Sequence, residues 1–287
     1  MVGSGVICAG FSRRERHESA SMSDTGNQKT ATPAAKQIGN GALYADLASY
    51  YDQFCAQVDY AGQCAFAARV FDGFARSGAR DYLDLACGTG QHLQEMTRLG
   101  FVPTGLDNSP AMLAQARARC PQAQLLLCDL AAFDQVAGFD LITCFLYSIH
   151  YSHPLSHFTE TLKRAWQALK PGGVFVFNAV DANGARRQHN VVTREQTVDG
   201  ELIFTSGWHY RGQGEVLDLH LCIRRETGDT TQTWHDHHTM TAITLPELEQ
   251  MLLAHGFEPI LLEHDYERLT PWTGESFNAI VVATKPA

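Results

Sequence analysis

Tyr82-Leu83-Asp84-Leu85-Ala86-Cys87-Gly88-Thr89-Gly90 decides the fold of this 287-residue chain. An apolar run ends there in an acidic, double-glycine turn and passes directly into a helical pattern over 91–99. A strand feeding a helix through such a turn aims backbone N–H groups and the positive end of the helix dipole at one small space. Seventeen residues beyond Gly90, a second apolar run over 102–107 delivers Asp107. A nucleotide-binding fold places a carboxylate at about that point, on ribose hydroxyls. A dinucleotide fingerprint would also require a glycine at position 93, so that helix and strand close up beside a pyrophosphate. Position 93 is Leu93, so the spacing favours a ligand with a ribose and no pyrophosphate.

These residues resemble motif I of the class I S-adenosylmethionine-dependent methyltransferases, and the likeness continues in order along the chain. Gly105-Leu106-Asp107-Asn108-Ser109-Pro110-Ala111-Met112-Leu113 is similar to the family's second-strand segment. Leu125-Leu126-Leu127-Cys128-Asp129-Leu130 is similar to the third, and Phe139-Asp140-Leu141-Ile142-Thr143-Cys144-Phe145 to the fourth. Leu169-Lys170-Pro171-Gly172-Gly173-Val174-Phe175-Val176 is similar to the turn into the fifth. One glycine motif is weak; five segments in order are specific.

The resemblance implies S-adenosyl-L-methionine as cofactor and S-adenosyl-L-homocysteine as product. Asp84 would serve the methionine ammonium through water or loop backbone, unless it only orders the turn. Ala86, Gly88 and Gly90 would give the ligand access to the backbone, glycine leaving no Cβ in the way. Asp107, followed by Asn108, would receive both ribose hydroxyls, the alternative being a solvated strand-end carboxylate. Asp129 with the Leu130 amide would read the adenine edge, or Asp129 would cap the next helix. Met112 and Phe145 are either apolar walls of the site or core residues.

Around these motifs, strand and helix patterns alternate: strand 81–86, helix 91–99, strand 102–107, helix 109–118, strand 123–128, strand 139–145, helix 155–169, strand 173–180. That alternation predicts an α/β fold, a Rossmann-like parallel sheet covered by helices on both faces. The pattern then changes. Asp199-Gly200 is a hairpin turn, and Leu217, Leu219, Leu221 and Ile223 alternate with Asp218, His220 and Arg224. Gly228-Asp229 turns the chain again, so 190–241 reads as an inserted antiparallel β meander. Helix 245–255 and strands 259–265 and 277–284 would complete the seven-stranded, mostly parallel sheet the family implies. The expected organisation is a disordered tail over 1–40, rich in Ser, Thr, Gly, Asn and Gln, and a cofactor-binding core over 41–180. The antiparallel insertion follows at 181–243, as a substrate cap or subunit-pairing surface of a homodimer, and 244–287 returns to the core. Met22 is an alternative start, and 42–55 and 61–76 are helix candidates.

The insertion narrows the resemblance to bacterial small-molecule N-methyltransferases acting on nucleotide-linked amino sugars. Trp234-His235-Asp236-His237-His238-Thr239-Met240-Thr241-Ala242-Ile243-Thr244 is similar to the strand leading into their last helix. Tyr44-Ala45-Asp46-Leu47-Ala48-Ser49-Tyr50-Tyr51-Asp52 is similar to an early segment of the same proteins.

Bulk properties fit a small-molecule enzyme. Hydrophobic residues make up 45% and charged residues 18%, and no apolar run has the roughly 18–20 residues that would cross a membrane. The apolar stretch 2–11 precedes its arginines, the wrong order for a secretory signal. The eight cysteines form no Cys-x-x-Cys pair and several fall in apolar runs, which points to a reducing cytoplasm. Net charge is −9, with no basic stripe to offset phosphate repulsion, so nucleic acid is disfavoured as substrate.

Methyl transfer from a sulfonium is an in-line displacement whose reactivity belongs to the cofactor, and an amine acceptor must also shed a proton. The segment Leu146-Tyr147-Ser148-Ile149-His150-Tyr151 sits where the sheet opens at its carboxyl edge. His150 is the candidate base or orienting group, with Tyr51 the second; each could equally serve packing. His235 and His237 would share one face of a strand while His238 points away. With His209 or His220 they could make a three-histidine set, but half-exposed strand histidines at a surface are commoner, and no metal is assigned. The reading is a methyltransferase acting on a nitrogen of a small metabolite. O-methylation, RNA methylation and non-catalytic cofactor binding stay open.

Overall fold

A computed structural model describes residues 36–37, 55, 57–186, 190–228 and 230–287. Tyr51 and the helix expected over 42–55, Cys55 apart, lie outside them. After helix α1 (Tyr60–Phe74), strands and helices alternate through β2 (Asp81–Leu85), α2 (Gln91–Arg98), β3 (Val102–Asp107), α3 (Pro110–Arg119), β4 (Gln124–Leu127) and β5 (Phe139–Cys144). A 3₁₀ turn at Ser148–Tyr151 leads to α4 (Leu155–Ala168), β6 (Leu169–Val180) and the short α5 (Ala182–Ala185). Helix α6 (Leu245–Ala254) and strands β11 (Glu258–Glu263) and β12 (Asn278–Thr284) close the chain.

Seven strands form one sheet in the order β11-β12-β6-β5-β2-β3-β4, parallel except where β12 runs against both neighbours. All six residues of β5 are buried, as expected of a parallel strand covered on both faces. Strand β2 lies between β3 and β5, so successive crossovers depart on opposite sides of it, and the crevice at such a switch point is where α/β sheets take ligands. Local chemistry starts the helices on schedule. Ser109 caps α3 by accepting from the Met112 N–H at 3.3 Å with Pro110 in the first turn, and Thr244 and Glu247 form a reciprocal capping box on α6. Strand β6 begins four residues earlier than its apolar pattern suggests, because Leu169 still pairs with Phe139 across a bulge.

Leu93 explains how the helix after the glycine turn packs. A Cβ at Gly105 of β3 would lie 2.7 Å from Leu93 Cδ1 and 2.8 Å from Cys87 Sγ. The close approach that a dinucleotide fold obtains from a glycine on the helix is obtained here from a glycine on the facing strand. Leu93 is fully buried in the resulting space, worth roughly 1.5–3 kcal/mol.

The insertion is a second sheet. Strands β7 (Val191–Thr197), β8 (Gly200–Tyr210), β9 (Val216–Thr227) and β10 (Thr230–Thr241) pair antiparallel in sequence order. Gly200 is required at the first hairpin because a Cβ there would lie 1.7 Å from the Glu226 carbonyl oxygen. Leu217, Leu219, Leu221 and Ile223 bury against the α/β core with Phe204 and Trp208, while His209, His220 and His237 are exposed. The sheet has a fifth strand. β1 (Lys36–Gln37), within the 1–40 stretch, pairs in parallel with Trp234–His235. The seven described cysteines are free thiols, and no helix among the described residues is long and apolar enough to cross a membrane.

Candidate active site

The chain leaves β2 through Ala86, Gly88 and Gly90, all with positive φ (58°, 51° and 81°). Gly90 caps α2, and a Cβ on it would stand 3.1 Å from Ala116 Cα in α3, so both conformation and space call for glycine. The turn is tied to β3 by the Cys87 N–H donating to Leu106 O at 2.9 Å and the Gly88 N–H donating to Asp107 Oδ2 at 2.9 Å. Asp84, Ala86, Gly88, Gln91, His92, Phe145 and Ser148 line the hollow this leaves at the head of α2.

Asp84 is the electrostatic centre of that hollow. The Tyr82 hydroxyl donates to Thr143 Oγ1 at 2.6 Å, and Thr143 donates to Asp84 Oδ1 at 2.8 Å. Asp84 Oδ2 is buried with no hydrogen-bond partner among the described residues. His92 Nδ1 stands 3.9 Å from it, while His92 Nε2 donates to Gln63 Oε1 at 2.8 Å, leaving the lone pair on Nδ1. Burial pushes His92 down to about 3, so its ring is neutral and offers no proton to the carboxylate. Burial also lifts Asp84 to about 7, against the pull of Thr143 and Tyr82 and with a further push from the Asp107 charge. Two acceptors facing one gap without a donor between them leave a local demand for a hydrogen-bond donor, strongest for a cationic N–H group when Asp84 is ionised.

Asp107, at the end of β3, holds two loops together. Its Oδ2 accepts from Gly88 and its Oδ1 from the Ser109 N–H at 2.8 Å, and each oxygen retains a further lone pair. Burial raises its carboxyl above the usual range despite those bonds. The remaining expected cofactor residues are grouped less tightly. Phe145 lies in the hollow with its ring 5.1 Å from His92. Met112 is buried in the core beneath the α3 cap, and Asn108 is exposed beside Asp107. Asp129 is exposed, its Oδ1 accepting from the Ala131 N–H at 2.9 Å, while Leu130 is buried behind it. These four flank Asp107 along the ends of β3 and β4, outside the Asp84 hollow.

Beyond β5 the chain adopts positive φ at two consecutive non-glycine residues, Leu146 (56°) and Tyr147 (60°). Such strain persists only where surroundings enforce it, and Asn178 Oδ1 accepts from the Leu146 N–H at 3.0 Å. Tyr147 is thereby set between the two sheets. Its hydroxyl accepts from Asn278 Nδ2 at 2.9 Å and donates to His264 Nε2 at 3.2 Å, and its ring meets Trp208 of β8 edge-on at 5.8 Å. Asn178 Nδ2 donates to the Tyr266 hydroxyl at 2.8 Å, and the Tyr266 ring lies 6.0 Å from Phe145. An aromatic and amide cluster therefore continues from the Asp84 hollow to the inner face of the insertion.

His150 does not fit the role expected of it. It is fully buried, Nδ1 donates to Thr241 O at 2.8 Å and Nε2 accepts from the Val180 N–H at 3.0 Å. Burial lowers it to about 4. With both nitrogens committed to backbone, it fastens the turn after β5 to the ends of β6 and β10 and has none to offer a substrate. Its neighbour is placed differently. The Tyr151 hydroxyl lies 2.5 Å from His238 Nδ1, and His238 Nε2 lies 3.0 Å from Asp236 Oδ2, a carboxylate–imidazole–phenol chain on the inner face of β10. The fully buried Thr143 was visible in sequence as a polar residue inside an apolar strand. His92 shares a helical face with Met96, i to i+4, in the first turn after the glycines. Nothing in the sequence pairs Tyr151 with His238, 87 positions apart.

Residues 83–173 match the family model described as "Methyltransferase domain". The chain is 29% identical over 139 residues to a putative methyltransferase of Geobacillus sp. (strain WCH70), covering 47% of this chain and 56% of that protein. It is 26% identical over 231 residues to the dTDP-3-amino-3,4,6-trideoxy-alpha-D-glucopyranose N,N-dimethyltransferase of Streptomyces venezuelae, covering 76% and 92%. It thus spans just over half the length of the first relative and nearly all of the second. Among solved structures, Streptomyces venezuelae DesVI shares the fold with a TM-score of 0.71 at 23% identity, over 85% of this chain and 99% of that one.

Proposed function

We propose that the chain is a class I S-adenosylmethionine-dependent methyltransferase that methylates an amine nitrogen of a small molecule, an amino sugar carried on a nucleotide. The observation that carries the cofactor side is the donor-free gap between Asp84 Oδ2 and His92 Nδ1. With Asp84 ionised, it suits a cationic donor such as the α-ammonium of a bound amino acid. In this reading the N–H groups at the head of α2 receive the cofactor's carboxylate, Asp107 its ribose hydroxyls, and the Asp129–Leu130 segment its adenine edge. When bound, the sulfonium supplies the electrophilic methyl group.

In this reading the acceptor lies beside the Asp84 hollow, on the side of the Tyr147, Trp208, His264 and Tyr266 cluster, which would exclude water there. An amine that gains a methyl group must release a proton. Tyr151 takes it at its phenol oxygen while passing its own proton to His238 Nδ1, and Asp236 stabilises the resulting imidazolium. The dTDP-amino-sugar N,N-dimethyltransferase matched over most of both chains supports nitrogen as the atom and a sugar nucleotide as the substrate class. The test is mass spectrometry of panels of dTDP-amino sugars, simple amines and alcohols incubated with the enzyme and a deuterium-labelled methyl donor. Labelled mono- or dimethylated amino sugar is expected; label only on alcohols, or only on the simple amines, would overturn the assignment.

A further inference from the structure

We infer that the solvent face of the inserted sheet binds one divalent transition-metal ion of the zinc class, through Asp218, His220 and His237 with His209 completing the set. This site is separate from the methyl-transfer site, on the opposite face of the sheet from Trp208 and His238.

The register builds it. On the middle strand β9, Asp218 and His220 project outward two residues apart. His209 of β8 stands directly opposite Asp218, and His237 of β10 directly opposite His220. The four side chains therefore occupy one patch drawn from three adjacent strands. One potential ligand atom from each of Asp218, His220 and His237 lies within 4.8 Å of the other two. His237 Nε2 and Asp218 Oδ1 are 3.0 Å apart. The ring centroids of His209 and His220 are 4.3 Å apart, and those of His220 and His237 are 4.7 Å apart. Gly207, opposite His220, presents no side chain of its own; the place its Cβ would take is taken by the Asn190 amide, with Oδ1 at 1.9 Å, and lies 3.3 Å from His209 Nε2.

Three imidazoles gathered on an exposed surface need a reason. The His209 and His220 rings are tilted at 34° and the His220 and His237 rings meet edge-on at 68°, and imidazole ligates through a nitrogen of its neutral form. Two ligand atoms about 2.0–2.1 Å from one tetrahedral ion sit roughly 3.4 Å apart, so small rotations of exposed side chains would close the set. Three nitrogens and one carboxylate suit Zn²⁺, Co²⁺ or Ni²⁺ rather than Mg²⁺ or Ca²⁺, which prefer oxygen. Four protein ligands leave no open position, so the ion would clamp β8, β9 and β10 together rather than catalyse. His238, on the other face, has no part in it, and Asp218 joins instead.

The experiment uses the full chain without a histidine tag, titrated with Zn²⁺ in a calorimeter and with Co²⁺ followed by visible absorption. One equivalent is expected, with the intense bands of tetrahedral cobalt and a raised melting temperature. The His220→Ala/His237→Ala double variant should lose that equivalent, while His157→Ala, an exposed histidine elsewhere, should keep it. Because all four residues point outward, circular dichroism of the double variant should match the parent. Failure of the parent to bind a stoichiometric ion, or an undiminished equivalent in the double variant, would overturn the site.

Discussion

Asp84 Oδ2 and His92 Nδ1 face each other across 3.9 Å, and with Asp84 ionised neither atom carries a proton. The gap is maintained from behind, by Thr143 on the other oxygen of Asp84 and by Gln63 on the other nitrogen of His92. An arrangement that leaves a buried carboxylate unsatisfied costs stability in the empty protein and returns it when a cation binds.

Cofactor affinity should therefore depend on pH in the direction set by Asp84. Its carboxyl titrates at about 7, so below that value it is protonated and no longer attracts an ammonium. Calorimetry should show S-adenosylhomocysteine binding weaken as pH falls below 7, by up to about tenfold per unit. Binding that is flat from pH 5.5 to 8.5 would refute the assignment.

The same shift makes a stability prediction of opposite sense. In the empty protein Asp84 binds its proton more tightly than in the unfolded chain. Its contribution is thus fully present below about 3.8 and is lost as pH rises through about 7. Asp84→Asn keeps the Thr143 bond without the charge. It should stabilise the empty protein at pH 8 by an amount on the order of 2–4 kcal/mol, read as a raised melting temperature, and abolish cofactor binding.

Asp107→Ala should weaken cofactor binding by about 1.5–3 kcal/mol through loss of a charged acceptor. Since Asp107 also holds the Gly88 and Ser109 amides, hydrogen exchange at those two positions should rise in the same variant. Unchanged affinity would remove Asp107 from the ribose site.

His150→Ala should act on folding. It removes the partners of the Thr241 carbonyl and the Val180 amide in a fully buried place and opens a cavity. Urea denaturation should report a loss of about 2–4 kcal/mol. A variant of unaltered stability with abolished turnover would restore His150 to catalysis.

Tyr151→Phe and His238→Ala should both depress turnover while leaving cofactor affinity within about twofold of the parent, because neither lines the Asp84 hollow. Their effects should not add, as expected for members of one proton chain. A full second loss in the double variant would dissociate them.

Local signals were sufficient for most of the architecture. Period-2 and period-3.6 patterns, the Asp84-to-Gly90 turn and the Asp199-Gly200 hairpin each act within a few residues, and the elements form close to where those patterns stand. The outward and inward faces of β9 and β10 follow from alternation alone, which is why His237 and His238 part company as expected. Leu93 was legible as an objection to a dinucleotide; its partner Gly105, twelve residues on, was not.

The sequence by itself determined a Rossmann-like sheet with a glycine turn at its switch point and an antiparallel insertion, because these depend on spacing and backbone conformation. Tertiary structure alone decided which polar groups meet. It turned His150 from a candidate base into a backbone fastener, brought His92 to Asp84, and joined Tyr151 to His238 and Asp236. Hydrogen bonds and desolvation act over about 3 Å between residues as distant in sequence as Tyr147 and Asn278, 131 positions apart, and no local pattern encodes those distances.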